Sequence, residues 1–380
     1  MLKGACLSKH ITIADVCNPE IVTSKYSKQF KYDSWNDPQL RKLRVKYGLE
    51  KVIRSGKSEL DKLQLLNAWA HDSFKKFGQP TLPTHNALEI LEEIERGGSF
   101  YCAHFAVLLL SAANSLGFVA RGLQVKAMPK VTNTEHTICE LWSNQYRKWI
   151  EMDATHTIYF VTKKAPALPL SVYEIRKELF KNGGKDLIII AGAGAKKKKY
   201  NLKDLPFYHS PYNMTVGFSK VSLAKHANMI FAGSNRWLTD PVDAHPYMLF
   251  KGGSIKLNSE KDGSFMPVDK HNNKVKWHKK DAVAGKDIKE AYWTLGEAHI
   301  GIVSVEKNLV KVKLTTQTPN FESFLLRIDK GVWRRAKAYF SWKLKPGLNR
   351  LTTTVKNKFG VTGPENHISL FYSAPKITKK

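Results

Sequence analysis

The sequence predicts an α+β protein, with helices and a β-hairpin in its first half and an all-β sandwich at its C-terminus. Three observations lead there. Cys102, Phe105, Ala106, Leu109, Leu110, Ala113 and Leu116 recur at helical spacing between the breaker Gly97-Gly98-Ser99 and the stop Gly117. Residues 136–142 and 147–153 are short runs rich in aromatic and β-branched residues flanking Ser143-Asn144-Gln145-Tyr146, as in a hairpin. From about residue 286, strand-like runs follow at close spacing: 298–305, 309–314, 321–328, 338–342, 350–355 and 367–372, separated by Gly, Pro and Asn turns.

At 380 residues the chain exceeds what one hydrophobic core usually serves. The pattern divides it into a first domain over residues 1–185 with its core at about 60–180, a connecting region over 186–285 packed on that core, and the sandwich over 286–380. The connecting region is loop-rich, with Pro206, Pro211, Pro241, Pro246, Asn235-Arg236-Trp237 and Gly252-Gly253. The apolar run Leu187–Ile190 is far shorter than the roughly 20 residues a membrane span needs, so it reads as a buried strand. The first twenty residues carry Asp15 and Glu20 and no continuous apolar stretch. The expected compartment is therefore the cytoplasm unless the start has been trimmed, in which case export fits as well.

Cys102 is the candidate nucleophile. A thiol reacts as its thiolate and needs surroundings that favour the anion. The helical pattern sets Cys102 in the first turn, where unpaired N–H groups and the positive end of the helix dipole supply that preference and could form part of an oxyanion hole. Taken alone, the helix fits a buried, inert cysteine better than a nucleophile.

The hairpin supplies the base and its orienter. A turn centred between Asn144 and Gln145 sets His136 directly opposite Asp153, with Cβ atoms about 4.5–5.5 Å apart. A carboxylate there holds one imidazole nitrogen and turns the other toward Cys102. Cys139 lies three residues after His136, among Leu141, Ile150 and Met152, and reads as core. His104 falls about 200° around the helix from Cys102, so it is not the expected base.

Four cysteines without a C-x-x-C pair argue against a disulfide scaffold and a zinc site, and no metal or cofactor is expected. Cys6 and Cys17 could pair in an exported protein. The formal net charge is +28, spread along the chain. Its one tight run, Lys196–Lys199, follows Ala191-Gly192-Ala193-Gly194-Ala195 and reads as a solvated loop. No zinc-finger spacing or RNA-binding aromatic strand accompanies the charge, so no specific nucleic-acid partner is expected. General attraction to acidic glycans, anionic envelopes or acidic proteins remains.

Together these residues resemble the transglutaminase-like superfamily, the papain-like fold group of transglutaminases, peptide N-glycanases and many microbial proteases. The likeness is carried by Cys102 opening a helix that runs into Leu116-Gly117-Phe118-Val119-Ala120-Arg121, by His136 with Glu140 four residues on, and by Trp149 ahead of Asp153-Ala154-Thr155. Upstream, 65–70 and 87–91 look like the helices that lead into the family's cysteine. The resemblance spans about residues 60–180. It implies Cys102 as nucleophile, His136 as base and Asp153 as orienter. Many members carry Trp two residues after the histidine, where this chain has Ile138, a difference that concerns the substrate wall. The last ninety residues resemble the immunoglobulin-like modules appended to extracellular bacterial enzymes.

The expected function is a cysteine-dependent amide hydrolase or acyltransferase, working through a thioester on a protein, peptide or glycopeptide amide. Tyr101 and Trp69 would wall the acyl site or belong to the core. Arg121 would bind a substrate carboxylate or make a structural ion pair. The alternative is a catalytically silent module of the same fold that recruits acidic glycan or envelope partners through the basic sandwich. Trp293, Trp333 and Trp342 fit a carbohydrate platform or, more commonly, a sandwich core.

Overall fold

The computed structural model describes residues 3–24, 27–28, 30–126, 135–182, 184–201, 228–231, 247–250, 282–284 and 288–375. The chain forms two compact units, one of residues 1–23, 144–147 and 293–380, the other of residues 24–143 and 148–292.

Two short strands open the chain, β1 (Cys6–Ser8) and β2 (Ile11–Cys17). The helices of the central unit come next. α1 (Pro38–Lys46) starts with Asp37, whose side chain accepts from the Gln39 N–H, and with proline at N1. After the short α2 (Leu49–Ile53), α3 (Glu59–Ser73) begins in a reciprocal capping box between Ser58 and Asp61. In α4 (Ala87–Glu95), Asn86 accepts from Leu88 and Glu89 N–H. α5 (Cys102–Ser115) differs, because Tyr101 precedes it and makes no side-chain cap. Every residue of α5 except Ala103 is buried, as expected of a helix apolar all round.

The sheet of this unit is built from β3 (Ala120–Lys126), β4 (Glu135–Ser143) and β5 (Lys148–Met152), and it continues through strands from later in the chain. A second, three-stranded sheet follows as β6 (Ile158–Thr162), β7 (Leu187–Ala191) and β8 (Lys198–Asn201), with α6 (Val172–Asn182) between β6 and β7. Strands β9 (Asn228–Phe231), β10 (Tyr247–Phe250) and β11 (Ala282–Ala284) complete the first sheet in the order β11-β10-β9-β3-β4-β5. The described strands of the expected connecting region are thus parts of sheets. The prolines, Asn235-Arg236-Trp237 and Gly252-Gly253 named for that region lie outside the described residues. Lys196–Lys199 is not the expected loop: Lys196 ends a single 3-10 turn, Lys197 pairs with Asp61 at 2.8 Å, and Lys198 and Lys199 lie in β8 against Ala191 and Ile190.

The hairpin forms, but its register differs from the expected one by two residues. Ser143 pairs with Lys148, Trp142 with Trp149 and Cys139 with Met152, so the turn is Asn144–Arg147, centred between Gln145 and Tyr146. Trp142 and Trp149 stand directly opposite, their rings 5.8 Å apart and edge-on, a cross-strand pair that favours this register. Arg147 adopts φ 54°, the left-handed conformation that lets the four-residue turn close. Continuing the ladder puts Ile138, not His136, opposite Asp153. His136 and Asp153 become diagonal neighbours, and a shift of two keeps both on the face they would otherwise share.

The other unit is a two-sheet sandwich. Its remaining strands are β12 (His299–Glu306), β13 (Leu309–Thr315), β14 (Phe321–Ile328), β15 (Arg334–Ala336), β16 (Tyr339–Lys343), β17 (Gly347–Asn357) and β18 (Asn366–Tyr372). One sheet runs β1-β2-β18-β17-β14-β15 and the other β12-β13-β16. Ile11, Phe324, Leu351 and Ile368 of the first sheet share one buried core with Ile300, Val312 and Trp342 of the second. Trp293 and Trp342 are fully buried, so they are core and not a carbohydrate platform; the Arg327 guanidinium lies over the Trp333 ring at 4.7 Å.

Two expectations change here. Residues 1–23 belong with the sandwich and not with the first domain, because β2 pairs along β18 from His367↔Cys17 to Tyr372↔Ile11. Cys6 lies opposite Thr12, leaving Cys17 five residues further along β2, about 16 Å at strand rise. A disulfide tolerates about 7 Å between Cα atoms, so the two thiols cannot bridge in this fold; both are free and exposed.

Candidate active site

The site is assembled from one helix start and one strand pair. Cys102 is the first residue of α5 and 7% exposed. Tyr101 makes no side-chain cap, so the first-turn N–H groups find no acceptor in the N-cap side chain. His136 lies near the start of β4 and Asp153 just past the end of β5; both are buried.

His136 Nε2 donates to Asp153 Oδ2 at 2.9 Å. Burial opposes the charged imidazolium, but the Asp153 charge and hydrogen bond, together with interaction with Cys102, outweigh it and raise His136 to about 10. Burial likewise opposes ionised Asp153, yet His136 and His156 hold its carboxyl far below the usual carboxylate range. The carboxylate is thus an acceptor only, and the nitrogens facing it carry the hydrogens. That leaves Nδ1 of His136 as the ring nitrogen for the thiol.

The structure brings in a residue that sequence reasoning missed. His156 Nδ1 donates to the same Asp153 Oδ2 at 2.8 Å, while Asp153 Oδ1 accepts the Thr155 N–H at 2.8 Å. An Asp that accepts from the backbone two residues on marks an Asx turn, so Asp153-Ala154-Thr155-His156 was the available signal. The ligand atoms of His136, Asp153 and His156 lie within 4.8 Å of one another, a spacing a divalent cation could bridge. Two N–H donors already fill the shared oxygen, which accounts for the convergence by hydrogen bonding.

The expected substrate residues fare differently. Tyr101 is 37% exposed beside Cys102, its ring edge-on to His104 at 4.8 Å. Trp69, on α3, is partly exposed and packs near Tyr47 at 6.4 Å; the contacts described for it do not include the thiol. Of the two expectations for Arg121, the substrate-carboxylate receptor gives way to the ion pair, since the side chain is fully buried. Its Nε donates to Glu140 Oε2 at 3.1 Å, Nη1 donates to the Ala291 carbonyl, and the guanidinium lies over Trp149 at 4.1 Å. It is the structural ion pair. Cys139 is core as expected, donating to the Ala106 carbonyl at 3.1 Å, with burial pushing its thiol up. His104 stacks on His85, ring centroids 5.2 Å apart, and burial followed by the His85 charge lowers it to about 3, so it stays neutral.

A cysteine at an uncapped helix start, against a sheet-borne His–Asp pair within an α+β core, defines a class of cysteine-centred folds. Residues 48–154 match the family model described as the transglutaminase-like superfamily, and this part of the chain is a transglutaminase-like domain. The superfamily includes cysteine-dependent acyltransferases and proteases. Solved structures add two likenesses. A candidate cysteine protease from Cytophaga hutchinsonii is 13% identical over 47% of this chain and 51% of its own, with a TM-score of 0.26. Red sea bream transglutaminase is 10% identical over 90% of this chain and 72% of its own, with a TM-score of 0.24. The chain thus spans about half the length of the first of these. The assignment rests on residues 48–154 and not on either likeness. No curated protein sequence matches the chain. No described helix is long and apolar enough to cross a membrane.

Proposed function

We propose that the chain is a cysteine-dependent amide hydrolase or acyltransferase that works through a thioester on a protein, peptide or glycopeptide amide. The observation that carries the reading is the buried His136–Asp153 pair, whose remaining imidazole nitrogen is left for the Cys102 thiol. In the reaction the Cys102 thiolate attacks the amide carbonyl, forming the C–S bond. First-turn N–H groups of α5 receive the oxyanion. His136 gives its proton to the departing amine as the C–N bond breaks. It then takes a proton from water or an acceptor amine, which attacks the thioester and expels the thiolate. Asp153 holds the ring in one tautomer throughout. Tyr101, half-exposed beside the thiol, would wall the acyl site, and the basic surface would favour acidic substrates.

The test is alkylation by iodoacetamide at pH 6 with peptide mapping of the four cysteines. Cys102 is expected to react fastest despite its burial, because an adjacent imidazolium is what a reactive thiolate requires. Faster labelling of the exposed Cys6 or Cys17 would overturn the reading. Cys102→Ala should remove the fast phase and leave the thermal melt in place.

A further inference from the structure

Asp153 is where the site departs from a simple triad. Its Oδ2 accepts from two imidazoles, His136 at 2.9 Å and His156 at 2.8 Å, whose rings lie 5.7 Å apart. The turn that presents them has its own fastenings. Asp153 and Ile158 exchange both backbone hydrogen bonds, at 3.0 and 3.1 Å. From α3, His71 donates to the Ala154 carbonyl at 3.1 Å and Asn67 to the Ile158 carbonyl at 3.4 Å. The turn is therefore held without His156, whose side chain, 9% exposed, is directed instead at the oxygen that His136 uses.

We propose that His156 is a positioning residue of this site: by sharing Asp153 Oδ2 it fixes the carboxylate and limits how tightly that carboxylate holds the His136 proton. The inference rests on the catalytic reading of Cys102, His136 and Asp153. A carboxylate oxygen serving one donor binds it harder than an oxygen serving two. His136 has to release its proton to a leaving amine and recover one from the incoming nucleophile, so a ring held too basic slows the first of these steps. The second donor tempers the ring while the Thr155 N–H keeps the carboxylate from turning.

The other titratable groups around this oxygen are Cys102 on α5, Cys139 and Glu140 on β4, Glu151 on β5 and His71 on α3. Burial keeps Cys139 and Glu151 in their neutral forms. Glu140 is paired with Arg121. His71 is engaged by the Ala154 carbonyl, so the groups that share Asp153 Oδ2 are His136 and His156.

The experiment follows iodoacetamide alkylation of Cys102 from pH 5 to 11 in the full chain, comparing the wild type with His156→Ala, His156→Gln and His156→Asn. A thiolate–imidazolium pair gives two steps, the upper one reporting loss of the His136 proton. Without the second donor, in His156→Ala, that step should move to higher pH by about half a unit, roughly threefold in the proton equilibrium. Asn carries its amide nitrogen near the position of Nδ1 and should restore the wild-type step. Gln places its nitrogen elsewhere and should behave as Ala does while filling the space, which keeps the test open if Ala does not fold. An upper step that stays in place or moves down in folded His156→Ala or His156→Gln overturns the proposal. So does failure of Asn to restore it. A wild type in which Cys102 shows no preferential reaction overturns the catalytic reading itself, so the two failures are distinguishable.

Discussion

Strand β4 carries two buried charged clusters four residues apart, and they are built on opposite plans. Around Glu140 every position is filled: Oε2 takes Arg121, and Oε1 takes the Tyr292 hydroxyl at 3.0 Å and the Val172 N–H at 2.9 Å. The Arg121 guanidinium is in turn covered by Trp149 and Tyr292. Around Asp153 both carboxylate oxygens are likewise occupied, but the donor His136 also interacts with the Cys102 thiol. A closed cluster can only hold the sheet in register. One that includes a thiol has a partner with which a proton can be exchanged. Buried charge on a strand therefore points toward chemistry when one of its partners is a nucleophile.

The largest expected effect breaks the cluster that includes Cys102. Asp153→Asn removes the charge that holds His136 protonated and permits the wrong tautomer, so turnover should fall by about 10³–10⁴-fold with the melt nearly unchanged. A loss below tenfold in single-turnover acylation would place Asp153 outside the mechanism. Next comes the closed side. Glu140→Gln leaves the buried Arg121 guanidinium without its counter-charge, a change that typically costs about 3–5 kcal/mol. Denaturant unfolding should show that loss, while the pH profile of Cys102 alkylation in the folded fraction stays as in the wild type. A shifted profile would mean that the two clusters are coupled.

The smallest effect concerns Glu151, directly opposite Glu140 on β5. Burial, then the Asp153 charge, raises its carboxyl well above the ordinary value, and Oε2 has no hydrogen-bond partner among the described residues. Because the folded-state value is raised, the native protein keeps a proton that the unfolded chain releases above about pH 4.3. Its contribution to stability is fully present below that pH and is lost as the pH rises toward the folded value. Glu151→Gln, a fixed mimic of the neutral form, should therefore raise Tm relative to wild type more at pH 8 than at pH 4. Equal shifts at both pH values would show that Glu151 ionises in place.

These clusters also mark how far the sequence could be read. Cys102 was legible because a helix start has a local signature, Gly97-Gly98-Ser99 followed by apolar periodicity. His136 and Asp153 were legible as partners because a hairpin is local too. Its exact register was not, since that depended on Arg147 entering the left-handed region and on Trp142 meeting Trp149. Arg121 looked available because its burial depends on strand pairing with Glu140 and on Tyr292, far along the chain. His156 follows an Asx-turn pattern that the sequence displays, but that its ring returns to Asp153 Oδ2 depends on the folded turn. The pairing of β2 with β18 has no local signal at all.

That last pairing bears on the order in which the protein is made. Cys17 and His367 are neighbours in the sheet but are joined by almost the whole chain. At ribosomal rates of about 5–20 residues per second, the N-terminal strand waits roughly 20–70 s for its partner to be synthesised. Through that interval β2 is an unsatisfied edge, with Ile11 and Ile13 awaiting a core. Residues 48–154, which match the transglutaminase-like family model, are synthesised long before, so the nascent chain carries that segment while β2 still lacks its partner strand.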